Sequence, residues 1–239
     1  MNASGGTGRL IHELREMRDR TLVFRNRRHA GEVLARMLAG KLAEGSRILA
    51  VPAGGVPVAA EIAKTLGLPM DVAVVSKVTP SWNSEVGYGA VAFDGRVRTD
   101  KRARAALGVD EADERVDVDR ARARVERRVR GLRTSGGPLV PAGGTAVLVD
   151  DGLASGITME TAVEAIRDAG AGHVVVAIPT GHERAVERIS AVVDEIHCAN
   201  VRSGRSFAVA DAYRDWTDLD DATVVEILQR SSSDGPSRA

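Results

Sequence analysis

A single cysteine, Cys198, stands among 239 residues, so no intramolecular disulfide can form and a reducing cytoplasm is the expected compartment. Net charge is also missing, because Lys plus Arg and Asp plus Glu both number 33. That balance argues against a nucleic-acid binder working through overall positive charge and against a basic membrane-surface protein, and leaves only local patches. No apolar run approaches the ~20 residues a bilayer helix needs, and no charged-then-apolar leader opens the chain. No GxxxxGK occurs and no lysine follows Gly156, which disfavours a P-loop kinase. Gly87-Tyr88-Gly89 is followed by strand-like sequence and not by a helix, so it is not a dinucleotide fingerprint. His173 and His182 stand at the expected starts of a strand and a helix with no second ligand at metal spacing, so no protein-held metal is assigned.

What is present centres on Thr145 to Thr158, TAVLVDDGLASGIT. Ala146 to Val149 are continuously apolar, the pattern of a strand covered on both faces, as in a parallel sheet. Asp150 and Asp151 then place two like charges side by side, which is unfavourable without a polar partner. Gly152 to Gly156 form a loop of mostly small residues, and Thr158 opens a segment in which Ala162, Val163, Ala165, Ile166 and Ala169 keep helical spacing up to Gly170. Strand, small-residue loop and helix N-terminus together make an anion site, where free N–H groups and the helix dipole favour a phosphate. Ionised carboxylates only accept hydrogen bonds, so the paired acids suit a ligand with neighbouring hydroxyls, such as a ribose phosphate. The plainer reading is an ordinary βα turn, with Asp151 as a turn residue and Ser155 or Thr158 as a helix cap.

Val147 to Thr158 resembles the 5-phosphoribosyl-1-diphosphate (PRPP) binding motif of type I phosphoribosyltransferases: an apolar strand, two acids, and a loop closing on Ser, Gly and Thr. The resemblance implies that Asp150 and Asp151 hold the ribose 2- and 3-hydroxyls. It implies also that Ala154, Ser155, Gly156, Ile157 and Thr158 cradle the 5-phosphate. Gly152 departs from the aliphatic residue common at its position. Earlier in the chain, Arg47 to Val51 reads as a strand, and Pro52 breaks it before Pro57 begins a helix at its preferred first position. Ala53, Gly54, Gly55 and Val56 between them resemble the family's diphosphate loop. Asp71 to Ser76 reads as a further strand of the parallel sheet, and Lys77 at its carboxyl end points toward the ligand crevice, where the family places a basic residue against diphosphate. Val78 to Ala90 is polar and Gly-rich, with Trp82 and Tyr88 fitting no core pattern, and corresponds to the family's mobile lid. Glu85 within it is an alternative base to the aspartates.

The rest reads as scaffold. Leu10, Ile11, Leu14 and Met17 predict a short amphipathic helix, and Ala30, Val33, Leu34, Met37, Leu38 and Leu42 a longer one stopped by Gly45. The run Arg27, Arg28 and His29 reads as a solvated face, with Arg27 a further candidate near diphosphate. Ala90 to Thr99 reads as a hairpin turning at Asp94-Gly95. From Asp110 to Arg133 acids precede arginines, which suits a helix dipole, with Val116, Ala123, Val125 and Val129 as its apolar points and no aromatic residue interleaved to suggest nucleic acid. His173 to Pro179 and Val192 to Cys198 are expected strands, with Cys198 a buried small residue and a helix over Glu183 to Ala191 between them. Phe207, Val209, Tyr213 and Asp215 resemble the base-covering hood of purine phosphoribosyltransferases, although Ala210 replaces its glycine. The competing reading is an aromatic cluster under a helix at Thr223 to Leu228.

These patterns predict an α/β domain, a parallel sheet with helices on both faces, plus a small hood and lid. A single domain is expected over 1–230, with a loose start at Met1 to Gly8, the lid at 78–90, the hood drawn partly from 199–230 and a disordered tail over 231–239. The implied activity is pentosyl transfer: PRPP gives its 5-phosphoribosyl group to a small nitrogen base with release of diphosphate. Asp150, Asp151 and Lys77 are the catalytic candidates, and Mg²⁺ is carried mainly by PRPP. A PRPP- or nucleotide-sensing module without turnover is the alternative. No nucleic acid or membrane partner is expected, and a homodimer is the assembly to look for.

Overall fold

The computed structural model describes residues 10–84, 86–133 and 136–233. Six strands form one sheet in the order β1 (Leu10–His12), β9 (Glu195–Arg202), β8 (His173–His182), β7 (Thr145–Val149), β2 (Arg47–Ala50) and β3 (Met70–Val72), every pair parallel. The continuous apolar runs foreseen for its centre follow from burial on both faces, since successive side chains point to opposite sides. Ile48, Ala50, Val147, Val149, Val175 and Ala177 enter a core with α1 (Arg27–Leu38), α2 (Gly55–Leu66), α4 (Glu111–Leu132) and α7 (Asp221–Ser233). Leu49, Ala146, Leu148, Val174, Val176 and Ile178 enter a second core with α5 (Ile157–Asp168) and α6 (Glu183–Ser190). Cys198 is fully enclosed in this second core, and burial pushes its thiol pKa up.

The order of strands decides where a ligand can sit. From β2 the chain moves outward to β3, whereas from β7 it moves the other way to β8 and β9. Between β2 and β7 the winding reverses, and a crevice opens beyond the carboxyl ends of those two strands. Asp150 and Asp151 follow one of them, and Pro52 to Gly54 the other.

Several elements differ from the sequence expectations. Leu10 to Met17 is not an amphipathic helix: β1 pairs with β9, and only a 3-10 turn, Arg15–Met17, follows. Leu10 and Ile11 stay 51% and 39% exposed while Leu14 and Met17 pack against the core, and an open sheet edge captures the start of the segment as a strand. Helix α1 ends at Leu38, before the left-handed Gly40, and does not reach Gly45. Helix α2 starts at Gly55, which puts Pro57 inside its first turn. Asp71 to Ser76 is not one strand: β3 stops at Val72, and β4 (Val75–Val78) leaves for a separate antiparallel sheet with β5 (Gly89–Ala92) and β6 (Val97–Thr99). The hairpin of β5 and β6 does turn through Asp94 and Gly95, the latter with φ of 86°.

After α3 (Lys101–Ala106), α4 runs as expected, with Asp110 accepting from the N–H groups of Ala112 and Asp113 at its start. Its packed face is set by Asp117, Val118, Ala121, Val125 and Leu132, whereas Val116 and Ala123 point outward. Helix α7 continues to Ser233, past the expected end of the domain, while Met1 to Gly8 and the last six positions of the foreseen tail lie outside the described residues. Among the described residues, no helix is long and apolar enough to cross a membrane.

Candidate functional site

The strand β7 delivers Asp150 and Asp151 to the floor of a cavity of about 560 Å³ at the winding reversal. The Asp151 amide donates to Asp150 Oδ1 at 2.8 Å, which fixes the bend out of the strand. Burial, followed by the negative charge of Asp151, holds the Asp150 carboxyl well above the usual carboxylate range. Burial also raises Asp151, against the opposing pull of the Arg27 guanidinium. The pair is therefore short of positive charge.

The loop that follows is tied at both ends. Leu153 donates to the Thr180 carbonyl at 2.9 Å and accepts from His182 N–H at 2.9 Å, extending the β8 ladder into the loop. Arg188 of α6 reaches the Ser155 carbonyl at 3.4 Å. Gly156, with φ of 83°, turns the chain into α5, a conformation open to glycine at no steric cost. The first-turn amides of α5, from Ile157 to Met159, have no partner within the helix by its geometry and lie at the cavity wall. Only the Ile157 amide has a side-chain acceptor, Ser155 Oγ, at a long 3.5 Å.

Across the crevice the β2 loop comes within contact of the β7 loop. A Cβ on Gly54 would lie 1.9 Å from Asp151 Oδ2, and one on Gly55 would lie 2.4 Å from the Val149 carbonyl oxygen. Only glycine fits at either position. Arg27, the first residue of α1, is buried, and its Nε donates to Asp151 Oδ2 at 2.8 Å. Its Nη1 donates to the Thr217 carbonyl at 2.8 Å, and its guanidinium lies 3.8 Å above the Trp216 ring. It is thus the partner of an aspartate and not part of a solvated face. A cation at a helix start opposes the helix dipole, so an arginine at this place is itself a sequence signal of tertiary use.

The far wall combines several elements. Lys77 lies exposed on β4, in the antiparallel sheet and not at a parallel strand's end, yet it lines the cavity, and its charge favours ionisation of both aspartates. Gly87 leaves room for its stem, with the position of a Cβ 3.4 Å from Lys77 Cδ. Thr79, Ser84 and Val86 of the expected lid line the same wall, while Trp82 is 64% exposed. Tyr88 is no lid residue: it is fully buried and donates to Asp117 Oδ2 of α4 at 2.9 Å. Glu85 lies outside the described residues. Helix α4 contributes two further cations, Arg124 and Arg128. Arg124 Nη1 is 3.3 Å from Ser76 Oγ, and burial, then the charges of Arg128 and Arg127, lower its pKa. Their four-residue spacing on an otherwise polar helix gave no hint of this, because only the antiparallel sheet brings α4 to the crevice.

Ten of the twelve expected binding residues line one cavity: Ala53, Gly54, Lys77, Asp150, Asp151 and the run Ala154, Ser155, Gly156, Ile157 and Thr158. Gly55 and Val56 do not. They begin α2 facing the core, and their amides are already used, Gly55 donating to the Val51 carbonyl and Val56 to that of Ala53, both at 3.1 Å. Of the expected hood residues only Val209 reaches the cavity. A Cβ on Gly152 would meet Val209 Cγ1 at 2.4 Å, which explains the glycine at a position usually aliphatic. Tyr213 instead packs at a tilt against Phe24 and Trp216 and donates to the Asp151 carbonyl at 2.6 Å, so it supports the floor from below. Phe207 packs against His182 and Asp215 is exposed.

The sequence matches the family model for the phosphoribosyl transferase domain over residues 28–212. A Mycobacterium tuberculosis H37Rv protein named "Putative phosphoribosyl transferase Rv0571c" is 36% identical over 217 residues, covering 89% of this chain and 48% of that protein. A second strain, CDC 1551, has a match of the same identity and coverage. The chain thus spans about half the length of the curated relatives it matches. Among solved structures, TT1426 from Thermus thermophilus superposes with a TM-score of 0.67 at 36% identity, covering 87% of this chain and 99% of that one.

Proposed function

The chain belongs to the phosphoribosyl transferase domain family, and from that premise we propose that it transfers the 5-phosphoribosyl group of PRPP to a small nitrogen base and releases diphosphate. The observation that carries this reading is the aspartate pair, held on a cavity floor between two glycine-dependent loops with helix-start amides alongside.

In this reading the 5-phosphate sits against the Ser155 to Thr158 amides, favoured by the positive end of the α5 dipole. The ribose 2- and 3-hydroxyls donate to Asp150 and Asp151, whose orientation is set by the Asp151 amide and by Arg27. The diphosphate lies toward Ala53, Gly54 and Lys77, with Arg124 and Arg128 adding positive charge where the leaving group gathers negative charge. The bond from ribose C1 to the diphosphate oxygen breaks, a bond from C1 to the acceptor nitrogen forms, and the nitrogen's proton is released. The transition state has oxocarbenium character, as in other glycosyl transfers, so exclusion of water is required. Thr79, Ser84, Val86 and Gly87 line the cavity and would supply that cover in this reading.

Hard carboxylate oxygens short of positive charge fit Mg²⁺, which keeps its waters and binds largely through substrate oxygens. Asp150 would hold it through water. Bound there, the ion would supply positive charge to offset that of the diphosphate. The positioning of both reacting atoms remains the work of the protein groups named above.

The test is diphosphate release from PRPP across a panel of purine, pyrimidine and simpler nitrogen bases, with and without Mg²⁺. Release with at least one base, lost in Asp151→Asn, is the expected result. Tight PRPP binding with silence across the whole panel overturns transfer and leaves a PRPP sensor.

A further inference from the structure

Away from the carboxyl edge of the sheet, near the starts of β8 and β9, lies a cluster that the transferase reading does not use. Parallel pairing sets His12 of β1 opposite His197 of β9, and Glu195 precedes His197 by two residues, so the three side chains leave one face. His173 stands two residues before Val175, the register partner of Glu195, and shares that face. His12 Nε2 lies 3.4 Å and His197 Nε2 3.2 Å from the same oxygen, Glu195 Oε2. One ligand atom from each of the three residues falls within a 4.8 Å span.

That spacing has a chemical meaning. Zinc bound by imidazole nitrogen and carboxylate oxygen at about 2.0–2.2 Å in tetrahedral geometry holds its donors about 3.3–3.5 Å apart. Hydrogen bonding accounts for the cluster only in part, through the 3.2 Å contact of His197 Nε2 with Glu195 Oε2. Among the described residues His12 Nε2 and His197 Nδ1 are buried atoms with no hydrogen-bond partner, and His197 is fully enclosed. The His12 nitrogen thus faces a carboxylate oxygen already engaged by His197 and is left unpaired itself, which native interiors rarely tolerate.

We propose that His12, His197 and Glu195 are three ligands of a divalent transition-metal ion, Zn²⁺ foremost, with water or His173 in the fourth position. His173 Nε2 lies 3.6 Å from the other carboxylate oxygen, Glu195 Oε1. Two imidazoles select such an ion over Mg²⁺ or Ca²⁺, which take oxygen ligands. The two rings stack at 4.3 Å with 19° between planes, so their lone pairs run nearly parallel, and closure on an ion requires one ring to tilt. His12 is the ring free to do so, being one third exposed on a three-residue strand that pairs on one side only. The ion would staple the first strand of the sheet to β9, at a site separate from the PRPP cavity, and the inference stands whether or not the chain transfers phosphoribose.

The test uses the full chain stripped of metal, titrated with Zn²⁺ against a chromophoric chelator and with Co²⁺ for its visible spectrum. Expected are one equivalent per chain, intense cobalt bands of a tetrahedral site, and a rise in unfolding temperature with Zn²⁺. His12→Gln and Glu195→Gln, partly exposed and therefore less risky to the fold than His197, should each weaken Zn²⁺ by more than about 100-fold, the upper end of what outer-shell changes alone cost. His173→Gln assigns the fourth position: weaker binding identifies the imidazole, unchanged binding identifies water. Absence of stoichiometric Zn²⁺ uptake, or uptake unchanged in both His12→Gln and Glu195→Gln, overturns the proposal.

Discussion

One wall of the cavity is made by two loops that leave the adjacent strands β2 and β7, and the other by residues drawn from β4, the segment after it, α4 and the turn at Val209. The first wall is two strand-end loops in direct contact, with glycine backbone against the Asp151 carboxylate and the Val149 carbonyl. Gly54 and Gly55 touch the β7 loop with no room for a methyl group, Leu153 is locked into the β8 ladder, and Arg27 grips Asp151. The second wall is side chains of distant elements, including an exposed lysine and two arginines. A wall built from strand ends holds a fixed ligand geometry, whereas one assembled from side chains can vary its chemistry without disturbing the sheet. The first is where the sugar phosphate is proposed to sit, with the diphosphate proposed to lie between the two walls and the acceptor toward the second.

The sharpest way to break that contrast is Gly54→Ala. Its methyl group would collide with Asp151 Oδ2, so PRPP affinity measured by calorimetry should fall by about 100-fold or more, roughly 2.7 kcal/mol. The matched change on the other wall, Thr79→Ala, should stay within about 3-fold. Equal losses would mean that the walls do not differ in rigidity.

Next in size is Arg27→Met, which leaves Asp151 on the floor without its guanidinium. Urea unfolding at pH 8 should show a loss of about 2–3 kcal/mol, below that of a fully buried pair because both groups keep some exposure. Arg27 favours the ionised form of Asp151, so the loss should shrink as pH falls and Asp151 takes up a proton.

Asp150→Asn should act in the opposite direction on stability. The folded-state pKa of Asp150 is raised, so the unfolded chain ionises more readily, and stability falls as pH rises above the ordinary carboxylate range near about 4. Asparagine cannot ionise and removes that dependence. The variant should be more stable than the parent at pH 8, on the order of 1 kcal/mol, with the gap closing toward pH 4, while its PRPP affinity drops. Thermal melts across that range check the sign.

The smallest effect is expected at Val209, the one hood residue at the cavity. Val209→Ala should shift the preference among acceptor bases by a few-fold, about 1 kcal/mol, and leave PRPP affinity unchanged.

The same division governs what the sequence disclosed. The β7 loop was legible because its determinants are contiguous: an apolar run, two acids, small residues and a helix start all lie between Thr145 and Thr158. The central strands were legible because burial on both faces leaves them uniformly apolar. Arg27 looked solvated because its partner is far along the chain, and Lys77 was assigned to the wrong sheet because the chain crosses from β3 to β4 without a strong turn signal. Tyr88 looked like a lid residue because its partner, Asp117, reads as one more charge on a polar helix. Gly55 and Val56 were misplaced for a subtler reason, since composition does not reveal which amides of a glycine loop are already engaged.

The central claim is that the aspartate pair and the adjoining amides form a sugar-phosphate site, and a crystal structure of the chain with ribose 5-phosphate tests it most directly. The account predicts the phosphate against the amides of Ser155 to Thr158 and the 2- and 3-hydroxyls on Asp150 and Asp151. A sugar phosphate bound elsewhere, with Asp151 still held by Arg27 and nothing against the α5 start, would contradict it.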